Sequence, residues 1–143
     1  MHVRGGDYLK LADTFVQLGS GYYQRALATV FRAAHPAISV AVFTNDPPHA
    51  RAIVAQLVSH FPRTTFHLVS FGSAEADQVA LASCDHVVLS NSTFAWWAGW
   101  SCAYRAVSEP DHPPCIVTRP SGWFSNGMVS DGLAHPRFVE VAV

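Results

Sequence analysis

The chain alternates between short apolar runs and longer segments whose apolar residues are three or four positions apart. The runs are rich in β-branched and aromatic residues, and each ends at a polar or Gly-rich loop, as buried strands do before a helix. We predict strands over residues 1–4, 38–43, 65–71, 85–89 and 115–118, and helices over residues 21–34, 74–83 and 94–107, with a further helix that opens at Pro47-Pro48. This alternation predicts an α/β fold, a Rossmann-like parallel sheet with helices on both faces.

Length and composition predict one compact domain over residues 1–143. The chain is 50% hydrophobic and 13% charged, which is enough apolar material for a core. Residues 121–143 contain three glycines and have weak periodicity, so we expect a tail that wraps the domain. The formal net charge is -1 and no Lys/Arg-rich run occurs, which argues against binding to nucleic acid. No apolar run reaches 18 residues, so we expect no membrane segment in this chain.

The cysteines and histidines give no pattern of metal ligands. Cys84, Cys102 and Cys115 form no CxxC or Cys/His spacing, and no two histidines make an HxH or HxxxH pair. We therefore expect no metal site and buried free thiols, with one disulfide and one spare thiol left open as the alternative.

The loops at the carboxyl ends of the strands are the places to search for a ligand site, because parallel sheets bind ligands there. After the first strand, HVRGGDY places Arg4 where its guanidinium would fork onto a phosphate, with Gly5 and Gly6 allowing close backbone approach. The alternative is a Gly-rich turn with a surface arginine. After the fourth strand, SNSTF begins a helix, and its hydroxyl groups would either hold an anion or only cap the helix.

Two further features carry a structural and a functional interpretation. Trp96 and Trp100 are four residues apart and share a helix face, so core packing is the default reading of the tryptophans. Asp77 lies near the start of the third helix and would favour the helix dipole, or its carboxylate would accept from N1–H and N2–H of a guanine.

The order of the motifs resembles one glycosyltransferase family over residues 2–124. The blocks are HVRGGDY, YYQRAL, FTND, DQVALASCDHVVLSNSTFAWWAGW and a strand leading to RPSGWF. This order resembles the C-terminal, sugar-nucleotide-binding part of the α-1,2-fucosyltransferases of inverting glycosyltransferase family 11. The resemblance implies the donor-binding half of a GT-B glycosyltransferase, which transfers fucose from GDP-fucose to the 2-hydroxyl of a terminal galactose on a glycan acceptor. It also implies catalysis without a metal or other cofactor.

The resemblance implies roles for individual residues. Arg4 would contact the β-phosphate and help catalysis, and Asp7 matches the acidic residue of the first motif. The other donor-binding residues implied in this way are His2, Asp77, Asn91, Ser92, Thr93 and Phe94.

Two features distinguish this chain from the pattern it resembles. Gly5 stands where the family has its second arginine, and the first strand begins at Met1 with no acceptor-binding half before it. We therefore expect a fragment or a shortened relative of a larger enzyme, and the alternative is a non-catalytic GDP- or GDP-fucose-binding domain. The resemblance implies a Golgi membrane enzyme if the parent is eukaryotic and a cytoplasmic one if it is bacterial.

Overall fold

The computed structural model describes residues 1–33, 39–108 and 113–143, which form six strands and four α-helices. The strands are β1 (His2–Val3), β2 (Ser39–Thr44), β3 (Thr65–Leu68), β4 (Val87–Val88), β5 (Val117–Pro120) and β6 (Phe138–Val141). The helices are α1 (Ser20–Ala33), α2 (Pro47–Leu57), α3 (Ala74–Ala82) and α4 (Thr93–Ser108). Short 3-10 helices cover Gly6–Lys10 and Asp131–Leu133.

The strands form two three-stranded parallel sheets, in the orders β1-β2-β3 and β4-β5-β6. Successive strand residues face opposite sides, so Val42 and Val88 enter the core cluster that contains residues of α1 and α2, while Phe43 and Val87 enter the cluster that contains residues of α4. Both sheets thus contribute to the same two apolar layers. The predicted α/β fold, Rossmann-like with parallel strands and helices on both faces, is confirmed.

Close packing of α4 on the second sheet depends on a glycine. A Cβ added at Gly99 would lie 2.9 Å from Leu89 Cδ2 and 2.9 Å from Val117 Cγ1, which is closer than ordinary van der Waals contact. The absent side chain therefore lets the helix backbone approach β4 and β5. This close approach sets how near the middle of α4 lies to the second sheet.

The hydrogen-bonded strands are shorter than several of the predicted ones. The predicted strand over residues 85–89 is paired in register at Val87 and Val88 only, and the fully buried Leu89 adds one backbone bond from its N to Thr118 O at 2.9 Å. Apolar runs report burial, whereas a ladder also needs a partner strand in register, and β5 pairs with only these two residues of β4. Residues 34 and 38, which ended one predicted helix and began one predicted strand, lie outside the described residues.

The segment predicted as a wrapping tail contains a strand of the second sheet. β6 pairs in parallel with β5, from Val117↔Phe138 to Pro120↔Val141. Phe138 packs in the cluster with α4, and Val141 packs in the cluster with α1 and α2. Its two central residues, Val139 and Glu140, are both exposed, so the strand lacks the alternation of buried and exposed residues that identifies a strand in a sequence.

The expectation of three free thiols is wrong. Cys102 and Cys115 form a disulfide with a Cα–Cα distance of 6.0 Å, and Cys84 is the free cysteine. The pairing depends on Cys102 facing the buried side of α4 while the chain returns toward β5. Spacing in the sequence does not encode that approach, so the alternative of one disulfide and one spare thiol is the correct one.

The tryptophans of α4 divide between the core and the surface. Trp96 packs edge-on against Phe138, with ring centroids 5.9 Å apart, and its Nε1 donates to the Leu133 carbonyl at 2.9 Å. Trp97 is instead 54% exposed, so the prediction of core packing does not hold for all the tryptophans of α4. Within the described parts of the chain, no helix has the length and apolar character needed to cross a membrane.

Candidate functional site

A cavity of about 350 Å³ lies at the carboxyl ends of β1, β2 and β3, close to the N-terminus of α4. Its volume is within the range of small-molecule sites. It brings together residues from four separate parts of the chain: His2, Arg4, Phe43, Thr44, Asn45, Ser70, Gly72, Ser73, Ala74, Asp77 and Phe94. Four of these, His2, Arg4, Asp77 and Phe94, were predicted as donor-binding residues from the sequence.

Arg4 supplies the positive charge of the cavity lining. Its Nη2 donates to the Asp7 carboxylate at 2.8 Å and 3.1 Å, and its guanidinium carbon lies 4.5 Å from the centre of the Tyr8 ring. Its Nε is buried and has no hydrogen-bond partner. Arg4 therefore has donor capacity left for an anionic group. Asp7 is 62% exposed at its side chain and contacts Arg4 without being part of the cavity lining.

The backbone after Arg4 is held by side chains of the β2–α2 loop. Asn45 Oδ1 accepts from Gly5 N at 3.0 Å, and Asp46 Oδ2 accepts from Gly6 N at 2.8 Å. These two N–H groups therefore already have acceptors within the protein. An anion bound at this loop would therefore contact the Arg4 side chain rather than the glycine backbone.

His2 is a buried, neutral wall of the cavity. Its Nδ1 lies 2.7 Å from Ser90 Oγ, and its ring centroid is 5.2 Å from that of Phe94. Burial, followed by the positive charges of the Met1 amino group and Arg4, lowers the pKa of His2 to about 3. The bond to Ser90 links β1 of the first sheet to the loop that follows β4 of the second sheet.

We expect His2 to make the protein less stable as the pH falls from about 6.5 to about 3. In this window the histidine of the unfolded chain binds a proton that the histidine of the folded chain does not. The free energy of unfolding therefore decreases by up to about 1.4 kcal/mol for each unit by which the pH is lowered. Urea unfolding between pH 6.5 and 4 should give a shallower slope for His2→Gln than for the unsubstituted chain. The exposed His67→Gln is the control and should keep the original slope; identical slopes for all three proteins would contradict the assignment.

Asp77 faces the cavity from the first turn of α3 and also ties down the β3–α3 loop. Its Oδ1 accepts from Phe71 N at 2.6 Å, and its Oδ2 accepts from Ser70 Oγ at 3.3 Å. Each oxygen keeps a second lone pair, because a carboxylate offers about four acceptor sites. Both interpretations of Asp77 are therefore compatible with the geometry: it orders a loop, and it has acceptor capacity toward the cavity.

The elbow after β4 is mostly buried behind the cavity. The Asn91 amide donates to Val16 O at 2.8 Å and to Trp123 O at 3.1 Å, so it fixes two distant loops. Ser92 is buried, and its carbonyl accepts the first backbone bond of α4 from Trp96 N at 2.9 Å. Thr93 is exposed at the start of the helix, and Phe94 is the elbow residue that lines the cavity.

The sequence did not single out the remaining lining residues as site residues. These are Phe43, Thr44, Asn45, Ser70, Gly72, Ser73 and Ala74. Their loops were identified by the rule for carboxyl ends of strands, but that rule does not say which side chains turn inward. Gly72 has a left-handed backbone with φ of 88°. Its identity as a glycine is the signal in the sequence that could have indicated an unusual backbone in this loop.

Residues 1–107 match the family model of glycosyl transferase family 11. The matched part runs from β1 through nearly all of α4 and includes every residue that lines the cavity. No curated protein and no solved structure matches the chain. Among residues 1–33, 39–108 and 113–143, no group of three or more His, Cys, Asp or Glu side chains is arranged to hold a metal ion. The chain belongs to glycosyl transferase family 11.

Proposed function

We propose that the chain is the GDP-fucose-binding part of a galactoside α-1,2-fucosyltransferase. The observation that carries this proposal is the cavity that gathers His2, Arg4, Asp77 and Phe94 at the carboxyl edge of a family 11 fold. Arg4 offers a cation for a pyrophosphate, and Asp77 offers a carboxylate for the edge of a base. The rings of His2 and Phe94 form walls of the cavity. Localisation follows the parent protein, at the Golgi membrane in a eukaryote or in the cytoplasm of a bacterium.

In the proposed reaction, the 2-hydroxyl oxygen of a terminal galactose forms a bond to C1 of fucose. The bond from C1 to the β-phosphate oxygen breaks, GDP leaves, and the configuration at C1 inverts. Negative charge accumulates on the departing pyrophosphate, and the guanidinium of Arg4, which lines the cavity, is the group that we propose neutralises it. The hydroxyl proton must pass to a base. Asp7 is the candidate from the first motif, and it is free for that role only when Arg4 bonds to the phosphate instead.

Calorimetry with GDP, GDP-fucose and ADP tests the nucleotide assignment. We expect GDP and GDP-fucose to bind and ADP to bind more weakly, because a carboxylate that accepts from N1–H and N2–H of guanine has no such donors on adenine. Equal affinities for GDP and ADP would contradict the proposal.

Asp77→Ala should remove most of the preference for GDP over ADP. A hydrogen bond to a charged group contributes about 1.5–3 kcal/mol, so the GDP affinity should fall by about 10- to 150-fold while the ADP affinity changes little. Glu75→Ala is the matched control, because Glu75 is an exposed acidic residue in the same first turn of α3. If both variants keep the original GDP/ADP ratio, Asp77 only orders the loop through Phe71 and Ser70.

A non-catalytic GDP- or GDP-fucose-binding domain is the second candidate, and the environment of Gly5 favours it. A Cβ at Gly5 would lie 2.7 Å from Asp46 Cβ, so the position where the resembled family has a second arginine is filled by Asp46. Fucose transfer to a β-galactoside, assayed with and without a divalent metal, separates the two candidates. GDP binding without transfer would support the second candidate.

A further inference from the structure

Asn45 and Asp46 form a clamp on the loop that carries Arg4, and this clamp extends the pairing of β1 with β2. The last backbone pair of these strands is Val3↔Thr44. Beyond it, the Asn45 amide bonds both polar groups of Gly5, accepting from N at 3.0 Å and donating to O at 3.3 Å. The side chain therefore replaces the next strand residue as a hydrogen-bonding partner.

Asp46 connects the same loop to the start of α2. Its Oδ2 accepts from Gly6 N at 2.8 Å, and its Oδ1 accepts from His49 N at 3.1 Å, which caps the helix. The N–H groups of His49 and Gly6 hold the pKa of Asp46 below its ordinary value, so the carboxylate is charged near neutral pH. The helix and the glycine loop share one carboxylate.

The clamp requires glycine at both positions that it holds. A Cβ at Gly5 would meet Asp46 Cβ at 2.7 Å, and a Cβ at Gly6 would meet Asn45 Nδ2 at 2.9 Å. Gly6 also has φ of 63°, which disfavours other residues. The two loops are therefore packed backbone against side chain, with no room for a shift of Gly5 toward Asp46.

We propose that Asn45 and Asp46 are positioning residues that set the reach of Arg4 toward the pyrophosphate. Arg4 precedes Gly5 directly, and the clamp occupies the N–H groups of Gly5 and Gly6, so on this loop the phosphate must be bound by the Arg4 side chain. A bond with correct orientation needs its donor held within fractions of an ångström. The inference rests on the proposed binding of GDP and names the residues that govern one part of it.

The test compares affinities for GDP and GMP by calorimetry, because GMP has no β-phosphate for Arg4 to contact. Asn45→Ala removes both bonds to Gly5 and leaves the cap of α2 in place. Asp46→Asn keeps a good helix cap, but its amide offers one acceptor oxygen in place of two. For each variant we expect the GDP/GMP affinity ratio to fall about tenfold, which corresponds to the weakening of one charged hydrogen bond.

A cycle with Arg4→Ala separates positioning from general stability. If the clamp acts through Arg4, Asn45→Ala in the Arg4→Ala background should cause no further loss of GDP affinity. Additive losses, or equal losses for GDP and GMP, would overturn the inference while leaving GDP binding intact. Failure of the unsubstituted chain to prefer GDP over GMP would overturn both the inference and the assignment of the pyrophosphate to Arg4.

Discussion

We expect Arg4→Ala to lower the affinity for GDP by about 10- to 150-fold and to leave the affinity for GMP within a few-fold of that of the unsubstituted chain. This is the expected loss of a charge-assisted bond of about 1.5–3 kcal/mol to the β-phosphate. Arg4 is the only Lys or Arg among the described residues that line the cavity, so no neighbouring cation in the lining replaces it. Calorimetry with both nucleotides, at the same ionic strength, measures the two affinities.

The ion pair with Asp7 provides the control for this experiment. Asp7→Asn removes the carboxylate that holds Nη2 at 2.8 Å in the ligand-free protein. An exposed pair is worth about 0–1 kcal/mol, so the GDP affinity should stay the same or rise by up to about fivefold. Arg4→Lys keeps the charge but not the planar fork, and should give an intermediate loss. Equal losses for GDP and GMP with Arg4→Ala would show that Arg4 supports the cavity and does not contact the β-phosphate.

We expect reduction of the Cys102–Cys115 disulfide to lower the free energy of unfolding by about 3 kcal/mol. The bridge closes a loop with a sequence separation of 13, and a loop of about 15 residues gains roughly this much from the loss of unfolded-chain entropy. Urea unfolding with and without a thiol reductant measures the difference. Cys115→Ser should show the lower stability under both conditions, because only the oxidised chain contains the bridge.

Cys84→Ser is the matched control for the disulfide. Cys84 is half-buried and unpaired, so its substitution should preserve the effect of the reductant. Thiol titration of the unfolded, non-reduced chain should find one free thiol and not three. Three titratable thiols, or equal stability with and without the reductant, would contradict the pairing of Cys102 with Cys115.

The fold was predictable from the sequence because burial and periodicity are local signals. Runs such as residues 39–43 reveal a strand buried on both faces, and Asp46 followed by two prolines marks the start of α2. β6 was missed because a four-residue strand with two exposed central residues resembles a loop in sequence. The disulfide was missed because it depends on the approach of α4 to the chain before β5.

The candidate site was predictable in outline and not in its contacts. His2, Arg4, Asp77 and Phe94 follow from the rule for strand ends and from the resemblance to one family. The clamp by Asn45 and Asp46 joins positions 40 residues apart in the chain, and no spacing within one motif predicts it. The contacts of Asn91 are likewise not predictable from a motif, because its partners are backbone carbonyls 75 and 32 residues away.

The fold continues beyond the residues that match the family model, as the parallel strand β6 shows. The match stops at residue 107, before β5 and β6 begin. Phe138 and Val141 each close one of the two apolar layers, and Val117 lies fully buried between them and β4. A chain cut at the edge of the match would uncover both sides of Val87 and Val88 at once. The residues that keep the cavity folded thus extend beyond the residues that match the family model.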